Sequence, residues 1–221
     1  MFNFFKKNKS DSDSNKAIEK PKFSEIKKRS KILIIDDGNF EYLPLFKKDG
    51  YSIDKWTKNE DIDQGKLDSI YYDIILLDIN GVATDRTKKH GFGLLEYIKE
   101  KNPAQIVIIY SASLFGMSDY NNYVKLANAC LDKSADYFDF KKAIDEHLES
   151  YTDLTYYINI FKSITQKEGI NFSSIEQDVI SAIKDKRSQV LRQKLETLNI
   201  SFEIVEKFVS IADTGIKMIG G

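Results

Sequence analysis

Five apolar runs rich in Ile, Leu and Val punctuate residues 31–132, and segments of helical periodicity separate them. The runs predict strands at Lys31–Asp36, Tyr51–Trp56, Asp73–Asp78, Gln105–Tyr110 and Ala129–Asp132. Most are apolar at consecutive positions, as strands covered on both faces of a parallel sheet are. Between them the pattern predicts helices near 40–48, 60–67, 93–101, 119–128 and 136–149. Asp49-Gly50 stops the first of these, and Pro103 stops the third.

Strand–helix alternation implies right-handed crossovers and a parallel sheet. The expected architecture is α/β, a flavodoxin-like five-stranded sheet of order 2-1-3-4-5 with helices on both faces. Its switch point lies between the first and third strands. From Tyr151 the alternation ceases and a small all-α C-terminal region is expected. Leu154, Tyr157, Ile158, Phe161 and Ile164 form one helical stripe, ended by Gly169. Ser173-Ser174-Ile175-Glu176 has the form of a capping box, opening one long helix through Leu198 with Val179, Ile183, Val190 and Leu195 on its stripe. A third helix is expected from Phe202 to Asp213, stopped by Gly215. Residues 6–30 are polar and charged and read as a flexible leader. The expected organisation is 1–30 leader, 31–150 α/β domain and 151–221 helical interaction or output region.

Composition narrows the function. The formal net charge is -1, so no global field favours nucleic acid or an anionic surface. The positive side of the long helix (Lys184, Lys186, Arg187, Arg192, Lys194) is interspersed with acids and reads as a solvated face. A single Cys excludes an internal disulfide and fits a reducing cytoplasm. No apolar run has the length of a membrane span. Two histidines, His90 and His147, cannot build a three-His zinc site, and neither is expected to act.

The chemistry gathers at strand ends. Asp36-Asp37 close the first run and Asp78 closes the third. Ser111 follows the fourth, and Lys133 follows the fifth. In open α/β sheets ligands bind at the carboxyl edge. Three carboxylates, a hydroxyl and an amine would therefore converge there, a set suited to a divalent cation and a phosphoryl group. An isolated acid at a strand end commonly caps the next helix; the ordered set calls for more.

That order, with its strand context and approximate spacing, resembles the receiver domain of two-component response regulators over roughly Lys31 to Ser150. The resemblance implies that Asp78 is the phosphoacceptor. Asp36, Asp37, Asp78 and the Asn80 backbone carbonyl would hold Mg²⁺. Ser111, the small Ala112 and Lys133 would receive the phosphoryl oxygens. It also implies a histidine kinase or phosphotransfer protein as donor and a phosphorelay role in the cytoplasm. Catalysis would be limited to self-phosphorylation and self-dephosphorylation. A protein partner, or self-association, would engage 151–221. Three features depart from the family. Cys130 stands where an aromatic is usual, and Ser134 stands where Pro usually follows the lysine. The 79–92 loop is long and charged, with Asp85, Arg86, Lys88 and Lys89.

Two other readings compete. A receiver-shaped module could bind its partner without phosphorylation, as Cys130 and Ser134 suggest. Asp78-Ile79-Asn80-Gly81-Val82 also looks partly like the nucleophile motif of haloacid-dehalogenase-type phosphohydrolases. That motif has a second Asp where Asn80 stands, and its other acidic pair follows the lysine rather than preceding it.

Overall fold

The computed structural model describes residues 21–112 and 121–220. The predicted strands appear as β1 (Lys31–Ile35), β2 (Ser52–Trp56), β3 (Ile74–Asp78), β4 (Ile106–Ser111) and β5 (Ala129–Asp132). They form one parallel sheet in the order β2-β1-β3-β4-β5. This is the flavodoxin-like order read from the sequence.

Side-chain alternation sends successive strand residues to opposite faces. Ile32, Ile34, Ile74, Leu76, Ile106, Ile108 and Tyr110 belong to one core. Leu33, Ile35, Ile75, Leu77, Val107 and Ile109 belong to the other. The second core is closed by α3 (Gln64–Asp68) through Leu67 and by α4 (Gly91–Lys101) through Phe92, Leu94, Leu95 and Ile98. The short α5 (Asn121–Val124) adds Tyr123 and Val124 at its margin. A 3-10 turn at Asn59–Asp61 precedes α3, so the helix expected at 60–67 is two pieces. The part of the predicted 119–128 helix before Asn121 lies outside the described residues.

The first core is larger. It takes in α1 (Phe23–Arg29), α2 (Leu43–Lys48) and α6 (Tyr137–Ser150), then continues into the C-terminal helices. The leader therefore does not extend to Ser30 as expected. Residues 23–29 form α1, and its Ile26 is buried. The remainder of that expectation, residues 1–20 with Phe2, Phe4 and Phe5, lies outside the described residues.

The C-terminal region holds α7 (Leu154–Lys167), α8 (Glu176–Lys184), α9 (Ser188–Thr197) and α10 (Phe202–Gly220). Three expectations fail here. The long helix is broken between α8 and α9, where Lys186 takes φ 57. The capping box does not form: Asn171 caps a 3-10 turn at Phe172–Ser174, and α8 begins at Glu176 behind an N-cap residue, Ile175, that makes no side-chain cap. Gly215 does not stop the last helix. A Cβ there would meet Ile183 Cδ1 at 3.1 Å, so Gly215 lets α10 lie close on α8. The apolar stripes are spent inside this assembly, where Tyr157, Phe161, Val179, Ile183, Leu191, Leu195, Val205 and Phe208 are buried.

The helical assembly also seals the amino edge of the sheet. The Lys217 ammonium lies 2.5 Å from the buried Asp73 carboxylate, just before β3, and donates to the Ile70 carbonyl at 2.6 Å. Asn102 donates to Thr214 (2.9 Å), and Tyr156 donates to the Ala104 carbonyl (3.0 Å). Arg29 donates to the Met218 carbonyl.

Candidate functional site

Register builds the site. Ile35 pairs with Leu77, and Asp78 pairs with Tyr110. Asp36, Asp78 and Ser111 thus end three adjacent central strands at the carboxyl edge, and Lys133 follows β5. Oxygens of Asp36, Asp37 and Asp78 lie within 4.8 Å of one another. Lys133 Nζ is 2.6 Å from Asp78 Oδ2 and 3.5 Å from Asp36 Oδ1. Three carboxylates and one ammonium leave a formal surplus of two negative charges, which one divalent cation would neutralise.

The acids are not equivalent. Asp36 is fully buried and both its oxygens are engaged: the Gly38 N–H donates to Oδ1 (2.8 Å) and the Tyr110 hydroxyl to Oδ2 (2.7 Å). Asp37 is exposed, and its carboxylate makes no hydrogen bond or ion pair among the described residues. Asp78 is 1% exposed and accepts from Lys133 and from the Asn80 N–H (3.2 Å). The donor set is all oxygen, which suits a hard cation such as Mg²⁺. Of the three carboxylates, that of Asp37 is the solvent-exposed one, whereas both oxygens of Asp78, like those of Asp36, accept a hydrogen bond.

Burial lifts the Asp78 carboxyl above the usual aspartate range, against the opposing pull of Lys133 and Asn80. Burial also disfavours the charge on Lys133. Its hydrogen bond and attraction to Asp78 outweigh that, so the ammonium titrates above its usual value. Desolvation, followed by the neighbouring Asp36 charge, pushes the Tyr110 hydroxyl far up, so it remains a proton donor.

The Asp78–Gly81 turn backs onto Asp37. Gly81 has φ 81, and a Cβ there would fall 2.1 Å from Asp37 Oδ2. The Asn80 side-chain amide donates to Ser111 Oγ (2.8 Å), drawing the hydroxyl of β4 toward that turn. Ala112 follows and is exposed.

The long 79–92 loop is tied down beside the site. Arg86 donates to the Ile62 carbonyl (3.1 Å), Asn59 donates to Thr84 (2.8 Å), and Lys89 pairs with Glu96 (2.8 Å). His90 is exposed, at the N-cap of α4. His147 is half-buried, with its ring nitrogens against the Ala143 and Asn128 carbonyls. Cys130 is half-buried at the edge of the second core, where burial pushes its thiol up. The Ser134 N–H and hydroxyl donate to Asp132 Oδ1 (2.8 and 2.6 Å), closing the turn after Lys133.

Sequence reasoning passed over Tyr110, Gly38 and Gly81. Tyr110 was discoverable: it continues the alternation Ile106, Ile108 onto the face where Ile32 and Ile34 lead to Asp36. The contribution of Gly81 depends on turn geometry that no periodicity carries.

No family model matches the chain, and no curated protein matches it. Over about 55% of its length it matches solved receiver domains. A CheY-like receiver domain protein from Methanospirillum hungatei JF-1 is 20% identical, with 55% of this chain and 94% of that chain covered and a TM-score of 0.44. A two-component response regulator from Clostridium difficile is 21% identical, with 57% and 100% covered and a TM-score of 0.46. The receiver domain of NtrX from Brucella abortus is 18% identical, with 53% and 98% covered and a TM-score of 0.44. The fold itself rests on the strand order and register.

Proposed function

We propose that this chain is a phosphorylation-dependent signalling protein of the response-regulator type, with Asp78 as phosphoacceptor. A carboxylate at the end of a central strand, 2.6 Å from an ammonium and beside a second, exposed carboxylate, carries the reading. Asp37 and Asp78, the Asn80 backbone carbonyl and, through water, Asp36 would hold Mg²⁺. The cation would neutralise oxygen charge on an incoming phosphoryl group. Asp78 would attack phosphorus, the donor's leaving group would depart, and Lys133, Ser111 and the Ala112 backbone would take the new oxygens. The donor would be a histidine kinase or phosphotransfer protein. The helical region 151–221 would carry the output, through a protein partner or self-association.

A phosphohydrolase reading finds no support at Asn80, which offers an amide where that chemistry needs an acid. Cys130 and Ser134 favour a phosphorylation-independent binding module as the second reading. Intact mass after treatment with acetyl phosphate and Mg²⁺ separates the two. One phosphoryl adduct, absent without Mg²⁺ and absent in Asp78→Asn, is expected. No adduct on the wild type, or an undiminished one on Asp78→Asn, would overturn the assignment.

A further inference from the structure

The acidic site and the C-terminal helices lie at opposite edges of the sheet. A change at Asp78 must cross its height to reach them. α6 spans that height: it begins just after Lys133 and, at 14 residues, extends roughly 21 Å to Tyr151. The Tyr110 side chain hydrogen-bonds an acid of the pocket and packs in the core that α6 shares with the helices, beside Phe40 and Phe140. The Tyr110 hydroxyl donates to Asp36, while its ring lies edge-on to Phe140 of α6 (centroids 5.5 Å) and to Phe40 (5.8 Å). Phe140, Ile144 and Leu148 continue down the buried face of α6. At its end Tyr151 stacks on Tyr157 of α7 (5.9 Å), and Phe161 of α7 meets Phe208 of α10 (5.1 Å). All of these residues belong to one continuous core. Cys130 lies against the opposite face of the sheet, in the core that excludes α6 through α10.

We propose that Tyr110 is the residue that couples the state of the acidic pocket to the C-terminal helices, acting through Asp36 on one side and Phe140 on the other. The inference rests on the phosphoacceptor reading above. Lys133 is shared between Asp78 and Asp36 in the unmodified protein. A phosphoryl group on Asp78 carries roughly 1.5–2 negative charges in place of the single charge of the carboxylate, and it draws the ammonium to its own oxygens. Asp36 then depends on its remaining donors, Gly38 N–H and the Tyr110 hydroxyl. A buried carboxylate cannot lose such partners without cost. The Tyr110 ring follows its hydroxyl, and the close-packed aromatic cluster passes the shift to α6. Tyr110 positions Asp36 and touches no reacting atom.

The test is hydrogen exchange of α6 and α7 in the full chain, with and without Mg²⁺ and beryllofluoride. Loading is verified by native mass, and wild type, Tyr110→Phe, Phe140→Leu and Cys130→Ala are compared. In the wild type and Cys130→Ala, loading should change exchange by about fivefold or more, the lower end of ordinary coupling. In loaded Tyr110→Phe, which keeps the ring, and in loaded Phe140→Leu, which keeps the hydrogen bond, the change should vanish. Phe140→Leu decides the matter should Tyr110→Phe not fold. A response that survives both substitutions, or is lost equally in Cys130→Ala, overturns the coupling and leaves the phosphoacceptor reading standing. A wild type that takes up no beryllofluoride overturns both.

Discussion

At the scale of residues, the site is a charge problem that its own side chains leave incompletely solved, with three carboxylates against one ammonium. Asp78 is desolvated and its carboxyl titrates high, so at neutral pH its charge is held at a cost to the fold. The folded pKa lies above the unfolded one, so this group erodes stability as pH rises through that window and continues to cost above it. Asp78→Asn should therefore raise the melting temperature of the metal-free protein by a few degrees, each 1 kcal/mol being worth about 2–4 °C at this size. It should also abolish any further gain from Mg²⁺. A calorimetric scan in which the variant melts lower than wild type without metal would contradict this. Gly81 gives a second handle. Its φ of 81 costs any other residue roughly 1–2 kcal/mol, and a Cβ there would also displace Asp37. Gly81→Ala should weaken Mg²⁺ binding by roughly 10–100-fold, as altering a group that orients a ligand does. Gly50→Ala is the control: φ is 85, and nothing lies within 4 Å of the added methyl. Equal Mg²⁺ affinities by calorimetry for the two variants would refute the Gly81 role. The acids, Ser111 and Lys133 could be found in the sequence because each directly ends or follows an apolar run. Tyr110 and Gly81 work through contacts across strands and turns, so the run they sit in says nothing of their partners.

At the scale of elements, the strands were far more legible than the helices that end the chain. The central strands β1, β3 and β4 are buried on both faces, which leaves little freedom in their apolar pattern, and the partly exposed β2 and β5 are bounded by the turns beside them. Four of the five predicted strands match the observed ones to within a residue at each end, while the fifth coincides. The reading of 175–198 as one helix followed the i, i+4 spacing across a break. The signal against it was four consecutive charged residues, Lys184 to Arg187, with no apolar anchor to hold a helix on the core. The stripe slips there by one position, so Val190 emerges 56% exposed while Leu191 is buried. Glycine marks both helix ends and close helix contacts, so Gly215 in the sequence does not by itself locate the end of α10. One junction between elements makes a prediction in pH. Lys99 of α4 donates to the Gln105 carbonyl before β4 (2.6 Å) and to Asn128 before β5 (2.7 Å). Burial among neutral acceptors pulls its pKa down to about 7. The unfolded chain then binds more protons than the folded one between about pH 7 and pH 10. This group's contribution to stability should rise with pH across that range, by on the order of 1–2 kcal/mol between pH 7 and 9. Urea unfolding of wild type and Lys99→Met at the two pH values isolates it. The same pH increment in both proteins would rule out a depressed Lys99.

At the scale of the whole molecule, the end of strand–helix alternation at Tyr151 reads as a domain boundary, yet the core runs straight through it. The apolar stripes of the last helices did require a partner surface, and most of that surface is within the chain. Periodicity reveals that a face is apolar but not what covers it, so sequence alone could not choose between a free module and a docked one. Docking here is held by more than apolar contact. Asp73 is nearly fully buried, one oxygen accepts from the Lys31 N–H (2.7 Å), and the other faces Lys217 of α10. A chain ending at Ser150 would strip that carboxylate of its counter-charge and leave Asn102 without Thr214. It would also open the apolar face formed by Ile144, Leu148 and the starts of β3 and β4. Leaving the buried Asp73 carboxylate without its counter-charge costs about 1–3 kcal/mol, and the newly opened apolar face adds to that loss against the 5–15 kcal/mol that holds a typical domain together. Residues 1–150 should therefore unfold without a sharp transition or melt far below the full chain, and should bind a dye specific for exposed apolar surface. Lys217→Met in the full chain should show a milder loss of about 1–3 kcal/mol by urea titration. A fragment that melts as cooperatively and as high as the full chain, with no dye binding, would show that the helices are an appendage after all. The helices would then stand apart from the sheet, rather than share a core with the strands that carry the acidic site.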